Sequence, residues 1–416
     1  MKREVELSIL KELMRQLDEK RNIDAGVMYR NPTEVYTSPE IAEREEETFF
    51  RDHPQLIALS GSLPNPGSYM TVDDFGVPVL ATRDESGRFR AFVNACRHRG
   101  ARIAEGQGES GHFVCPFHNW VYTNQGELAA IPLEGQVGPI DKSCRGLIEL
   151  PALEQGGLLW VHPRADGAID LDQQLSGLGP EIASWGFGDL VQQGETVIEK
   201  RLNWKLANDT FGETYHFSRL HKNTLGQVFY GDALGYEEFG RNHRFVIATK
   251  RIDELRGQPE SAWNLLDATS PLYYLFPNIQ LSFGAGQVSL IKMYPDPAHP
   301  NDPSRSLTRI IYYFSQEMID REQSSGDEAF KITAENAYDR GYESADDPVV
   351  TLSGLTEIFD STVEQEDYLM GEHQQRSAES GQLDHIVFGR NEPALHHYHT
   401  HFRDALGLSP LEKIER

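Results

Sequence analysis

Short apolar or alternating runs dominate the first part of the chain, at 54–59, 77–82, 89–93, 111–114, 120–123, 146–150 and 157–162. Each has strand length, and turn signals such as Asn65-Pro66-Gly67, Ser86-Gly87 and Asn124-Gln125-Gly126 separate them. The pattern predicts an all-β unit over residues 46–165. Before it, in residues 1–45, charged positions alternate with Leu7, Ile9, Leu10, Leu13, Met14 and Leu17. That is the spacing of an amphipathic helix, here expected to form an arm packed on the C-terminal part of the chain. From 166 to 189 the chain is rich in Gly and Asp and reads as a crossover. Beyond it, strand-like runs at 195–201, 245–248, 272–283, 287–294 and 307–314 mix with helical stretches at 206–219, 327–342, 347–369 and 393–406. Strands with a few long helices predict an α+β unit over residues 166–416, a curved antiparallel sheet around a helix.

Composition narrows the setting. Across 416 residues the formal charge is −25, which argues against nucleic acid, whose phosphates such a surface repels. Only three cysteines occur, too few for a disulfide framework, so a reducing, cytoplasmic setting is expected. The N-terminal pattern lacks the apolar core of a signal peptide, and no run approaches the roughly 18 apolar residues of a membrane span.

Two of the three cysteines carry the first chemistry. Cys96-Arg97-His98 and Cys115-Pro116-Phe117-His118 lie 16 residues apart. One Cys and one His from each of two loops suit a [2Fe-2S] cluster whose irons are divided between thiolate and imidazole ligands, a Rieske centre. Structural zinc is the competing reading, but zinc sites usually group like ligands, whereas each pair here is mixed. Between the pairs, Gly106-Gln107-Gly108-Glu109-Ser110-Gly111 matches the dinucleotide fingerprint G-x-G-x-x-G. That fingerprint needs a helix after it, and His112-Phe113-Val114-Cys115 follows instead, so the glycines read as a turn joining the two ligand loops. With no nucleotide or flavin site visible, reducing equivalents are expected from another protein.

A second constellation follows Asn203-Trp204-Lys205: Glu213-Thr214-Tyr215-His216 and then His221. On a helix Glu213 and His216 share a face, but His221 would lie about 140° around from His216, so both imidazoles converge only across a break. Two histidines and a carboxylate from elsewhere are the ligand set of a non-haem iron(II) facial triad. Asn208 and Asp209, one turn before Glu213, are candidates to steady the ligands or face a substrate, and Tyr215 is a candidate donor beside them.

The run N-W-K-x7-E-x-Y-H-x4-H, with the Cys/His pairs upstream, resembles the large subunits of Rieske non-haem iron ring-hydroxylating oxygenases, over almost the whole chain. The resemblance implies a helix-grip, START-like catalytic domain and a last iron ligand in an acidic cluster far downstream. Here that cluster is Glu364-Gln365-Glu366-Asp367, which nominates Asp367, with Glu364 and Glu366 as rivals. It also implies that Glu213 bridges His216 and His118 of a neighbouring chain in a head-to-tail homotrimer, with a β subunit possible. Many ring dioxygenases have Asp where this chain has Glu213, whereas Glu occurs in relatives that oxidise quaternary amines.

The implied activity is that of an EC 1.14 oxidoreductase, the terminal component of an oxygenase system. Electrons from NAD(P)H arrive through a reductase or ferredoxin, and O2 hydroxylates an aromatic or alicyclic small molecule; oxidation of a quaternary ammonium or N-/O-methyl compound is the alternative. Apolar lining is expected from Phe217, Leu220, Thr224, Leu225 and Val228, and from Ile279, Leu281 and Phe283 on one strand face. An aromatic cage for a quaternary amine would draw on Tyr273, Tyr274 and Phe276. His396, His397, His399 and His401 read as parts of a packed C-terminal helix, with a metal site as the competing reading.

Overall fold

The computed structural model describes residues 1–284, 286–300, 302–325 and 351–415. The expected helix at 327–342 lies outside the described residues. The chain divides into two compact units, one of residues 45–170 with 186–191, the other of residues 1–44, 171–185 and 192–416.

The first unit is built from short antiparallel strands, as the apolar runs require. A five-stranded sheet runs in the order Glu149–Leu150, Phe89–Val93, Val79–Arg83, Ser68–Val72, Gln107–Glu109. Ala152–Gln155, Leu158–Val161 and Gln55–Leu59 form a second sheet, and His112–Val114, Val121–Thr123 and Leu128–Ala130 a third. The G-x-G-x-x-G segment is a strand paired with Ser68–Val72 that turns into His112–Val114, so no helix follows it. Phe92, Phe113, Trp120, Tyr122, Leu128 and Leu147 form a buried cluster that also holds Cys96 and Cys115.

In the second unit six consecutive strands, from Phe229–Phe239 to Ser306–Phe314, form an antiparallel meander, and Val191–Lys200 joins beside the last. Helix Pro393–Ala405 packs on this sheet: the Tyr398 ring lies 4.4 Å from that of Tyr274, and its hydroxyl accepts from Gln280 Nε2 at 2.6 Å. The α+β class is therefore borne out. The N-terminal helix Arg3–Glu19 buries Leu10, Leu13 and Met14 against Ala233, Val246, Ala248 and Ile252. Gln16 fastens it by accepting from Leu234 N and donating to Leu234 O.

Two expected elements are corrected. The 272–283 run is two strands, Thr269–Leu275 and Ile279–Gly284, which pair antiparallel because the chain turns back at residues 276–278. The 206–219 helix stops early, as Trp204–Asp209. At Gly212 the backbone passes so close to helix Pro393–Ala405 that a Cβ would lie 2.5 Å from Leu395 and 2.7 Å from Tyr398. The turns that follow, not a helix, carry Glu213 and both histidines.

Candidate active site

The two cysteine loops share one backbone design. Cys96 N–H donates to Ala101 O and Gly100 N–H to Cys96 O; Cys115 N–H donates to Trp120 O and Asn119 N–H to Cys115 O. Each loop thus closes over five residues, and each has a left-handed residue at its fourth step, Gly100 (φ 77°) and Asn119 (φ 56°). Those are the residue types that tolerate this conformation. The result keeps Cys96 and Cys115 buried while His98 and His118 are exposed. The imidazoles face each other, with Nδ1 atoms 3.2 Å apart. His98 stacks flat on Trp120, at 5.0 Å and 7°, and Arg99 lies beside His118 Nε2 at 3.1 Å. Burial pushes the Cys96 thiol pKa up, Tyr122 opposes this through its hydroxyl at 3.4 Å, and the neighbouring Cys115 adds to the rise. Two buried thiols and two outward imidazoles, on matching loops, are the donor set that would hold a [2Fe-2S] cluster of the Rieske kind.

The second site is assembled from distant segments. Asn203 caps helix Trp204–Asp209 by accepting from Lys205 N–H. After the break, Glu213 takes the His216 backbone N–H at 3.2 Å and also its ring Nδ1. The loop then folds tightly: a Cβ at Gly226 would lie 2.7 Å from Phe217 O and 2.8 Å from His221 O. From the other side come helix Leu352–Thr362 and the π-turn Val363–Asp367. Nε2 of His216 and of His221 lie 3.1 Å apart, and Asp367 Oδ1 is 3.4 and 3.0 Å from them.

Among the described residues, His216, His221 and Asp367 are the group of ligand-type side chains that could hold one metal ion. Glu364 is drawn away by Lys200, 2.9 Å distant, and Glu366 accepts from His221 Nδ1 at 2.7 Å. With both Nδ1 atoms donating to carboxylates, two Nε2 lone pairs and a carboxylate oxygen converge on one point. Such a set repels itself unless a cation or protons lie within it. Burial opposes charge on His216, but Asp367 and Glu213 outweigh it and raise its pKa to about 10. His221 rises by the same balance; burial pushes Asp367 upward, but both histidines hold it below the ordinary carboxylate value.

The donors lie in a cavity of about 650 Å³, open solvent at its mouth included, whose walls carry Phe211, Phe217, Phe229, Phe245, Leu272 and Phe359. Of the expected lining, Phe217 and Leu225 are there, whereas Leu220, Thr224 and Val228 are not. Ile279, Leu281 and Phe283 are corrected by strand alternation, since their neighbour Ser282 lines this cavity. Phe283 packs instead on Trp185 and Tyr273. The aromatic cage is undone too: alternation turns Tyr273 away from the face of the cavity-lining Leu272, and other partners hold Tyr274 and Phe276. Tyr273 donates to Glu181, Tyr274 to Pro277 O, and Phe276 packs on Phe402 and Arg241.

Three further candidates, Tyr215, Asn208 and Asp209, are not among the cavity-lining residues. Tyr215 is 71 % exposed, because the turn that aims His216 inward sends its neighbour outward. Asn208 accepts from Gln280 Nε2 at 3.1 Å, and Asp209 accepts from Tyr36 and His399, so both tie their helix to its neighbours rather than line the cavity. Of the C-terminal histidines, His399 thus serves Asp209, while His397 bonds His243 and Gly240 O. The sequence reading missed the cavity residues Phe211, Phe245, Ile247 and Phe359; Phe245 and Ile247 share one face of strand Asn242–Thr249, but the apolar run 245–248 does not mark that face.

Residues 53–143 match the Rieske [2Fe-2S] domain, and residues 187–408, more than half of the chain, match the ring hydroxylating alpha subunit catalytic domain. The anthranilate 1,2-dioxygenase large subunit of Acinetobacter baylyi is 31 % identical over 208 residues, 48 % of this chain and 44 % of that relative. The carnitine monooxygenase oxygenase subunit of Acinetobacter baumannii is 29 % identical over 205 residues, 49 % of this chain and 55 % of that one. The chain thus spans about half the length of these relatives. The fold is similar to that of a quaternary ammonium Rieske monooxygenase in complex with an inhibitor, with TM-score 0.72, 20 % identity and coverage of 92 % of this chain and 96 % of the other. By the extent of the catalytic-domain match, the chain belongs to the ring hydroxylating alpha subunit family.

Proposed function

We propose that this chain is the terminal oxygenase component of a Rieske non-haem iron system acting on an apolar aromatic or alicyclic small molecule. Cys96, His98, Cys115 and His118 would hold the [2Fe-2S] cluster, and His216, His221 and Asp367 the mononuclear iron. The observation that carries this reading is the convergence of three metal-type donors inside a phenylalanine-rich cavity. When bound, the cluster supplies electrons singly and the iron activates O2 for insertion into substrate carbon.

The chain's own residues do the rest. Glu213 keeps the His216 ring oriented by holding its Nδ1–H. Phe211, Phe217, Phe229, Phe245 and Phe359 exclude water and grip a flat apolar substrate. Electrons come from NAD(P)H through a separate reductase or ferredoxin. A homotrimer is proposed, in which Glu213 also meets His118 of a neighbouring chain. Among the described residues no helix is long and apolar enough to cross a membrane. With only three cysteines in the chain, we place it in the cytoplasm.

Oxidation of a quaternary ammonium or methylated substrate is the second reading, favoured by Glu213. Against it stand the dispersal of Tyr273, Tyr274 and Phe276 and the absence, among the described lining residues, of a Lys or Arg to meet a substrate carboxylate. The test is 18O2 turnover with a generic reductase and paired substrates. Label in an arene or alicyclic product supports the first reading, whereas formaldehyde or trimethylamine as the main product contradicts it.

A further inference from the structure

Consecutive residues on an α-helix diverge by about 100°, so adjacent carboxylates do not ordinarily serve one ring. Here Glu366 and Asp367 both reach His221, Glu366 Oε2 at 2.7 Å from Nδ1 and Asp367 Oδ1 at 3.0 Å from Nε2. They do so from the π-turn Val363–Asp367, a widened turn of the kind that recurs at functional sites. Thr224 donates its hydroxyl to the same Glu366 oxygen at 2.9 Å. Glu366 is not among the cavity-lining residues, so its side chain acts on the imidazole and not on a substrate.

We propose that Glu366 is a positioning residue that fixes the tautomer and ring plane of His221. This deepens the function proposed above and rests on its assignment of His216, His221 and Asp367 as metal ligands. A neutral imidazole carries one N–H, and a carboxylate can only accept, so Glu366 holds that proton on Nδ1 and leaves the Nε2 lone pair free. Thr224 holds the accepting oxygen in place. Glu213 does the same for His216 from three residues away, so each histidine has its own carboxylate, one local and one from across the fold. A single π-turn therefore delivers both a ligand and the group that aims another ligand.

The test is anaerobic Co(II) titration of the full chain with its cluster intact and the mononuclear iron removed, read from the visible bands of bound Co(II). Glu366→Ala should weaken binding about ten- to hundred-fold, the usual effect of losing a partner of a ligating histidine. Glu366→Gln, whose amide oxygen still accepts the Nδ1–H, should recover most of the loss, and Thr224→Val should shift binding less, in the same direction. The cluster spectrum should stay unchanged in all three. Wild-type affinity in Glu366→Ala, alongside lost binding in His221→Ala, would overturn the positioning role alone. Equal weakening in Glu366→Ala and Glu366→Gln would also overturn it, since a bond-accepting side chain would then make no difference. A wild-type chain that binds no Co(II) would remove the metal assignment, and this role with it. If Glu366→Ala does not fold, the comparison of Glu366→Gln with Thr224→Val decides.

Discussion

The cysteine loops and the His216–His221–Asp367 site present metal-type donors by opposite means. Each cysteine loop closes over five residues with its own backbone bonds, so the geometry is local, and the second loop repeats the first. The other site joins two segments about 146 positions apart, and its shape depends on a broken helix, a π-turn and two carboxylates that orient rings. Local geometry tolerates change in the surrounding fold, whereas assembled geometry inherits every change in packing. Substitutions that leave the cysteine loops alone should therefore be able to disturb the assembled site.

The largest expected effect separates the two regions cleanly. Cys115→Ala should abolish the visible cluster absorption and all turnover while leaving Co(II) or iron binding at His216 and His221; loss of both metals together would mean that the regions are not independent. Next, Glu213→Gln, whose amide oxygen still accepts the His216 Nδ1–H, should keep both metals yet lower turnover about ten- to hundred-fold, because the charged carboxylate proposed to meet the neighbouring cluster is lost. Unchanged single-turnover electron transfer would remove that bridging role. Gly212→Ala tests the broken helix. Its Cβ would press on Leu395 and Tyr398, so denaturant unfolding should show a loss of about 1–3 kcal/mol, with mononuclear-metal affinity falling more than cluster content.

The smallest expected effect is a pH dependence beneath the assembled site. Burial lowers the His397 pKa to about 4, its Nε2–H donating to Gly240 O and its Nδ1 facing His243. A histidine held neutral in the fold is protonated first in the unfolded chain. Its contribution is therefore fully present above the ordinary value of 6.5 and is lost progressively as pH falls from there toward 4. Between pH 8, 6.5 and 5 the wild type should lose stability relative to His397→Gln as pH falls, read as the difference between their unfolding midpoints. A difference that does not change with pH would mean that His397 is not held neutral.

The contrast also explains what was legible in the sequence. Spacing alone pointed to the cysteine loops, because a ligand pair and its turn residue lie within five positions of each other. The alternating runs gave the α+β class for the same reason. The pairing of His216 and His221 with one of three downstream acidic residues came from motif resemblance, and only the π-turn separates Asp367, converging, from Glu366, behind the ring, and Glu364, drawn off to Lys200. Which strand face lines the cavity was not legible. A shift of one residue exchanges Phe283 for Ser282, and apolar runs buried on both sides carry no mark of which side is which. Helix termination at Gly212 was hidden likewise, since its cause is a contact with residues near 395.

The central claim is that one iron is held by His216, His221 and Asp367, separately from the cluster. Iron and acid-labile sulfide should be counted on the anaerobically reconstituted chain and on Asp367→Ala, with the cluster spectrum recorded on both. The account predicts about three irons and two sulfides per chain in the wild type, falling to about two and two in Asp367→Ala with the cluster spectrum unchanged. An unchanged iron count in Asp367→Ala, or a third iron that leaves only when the cluster does, would contradict it.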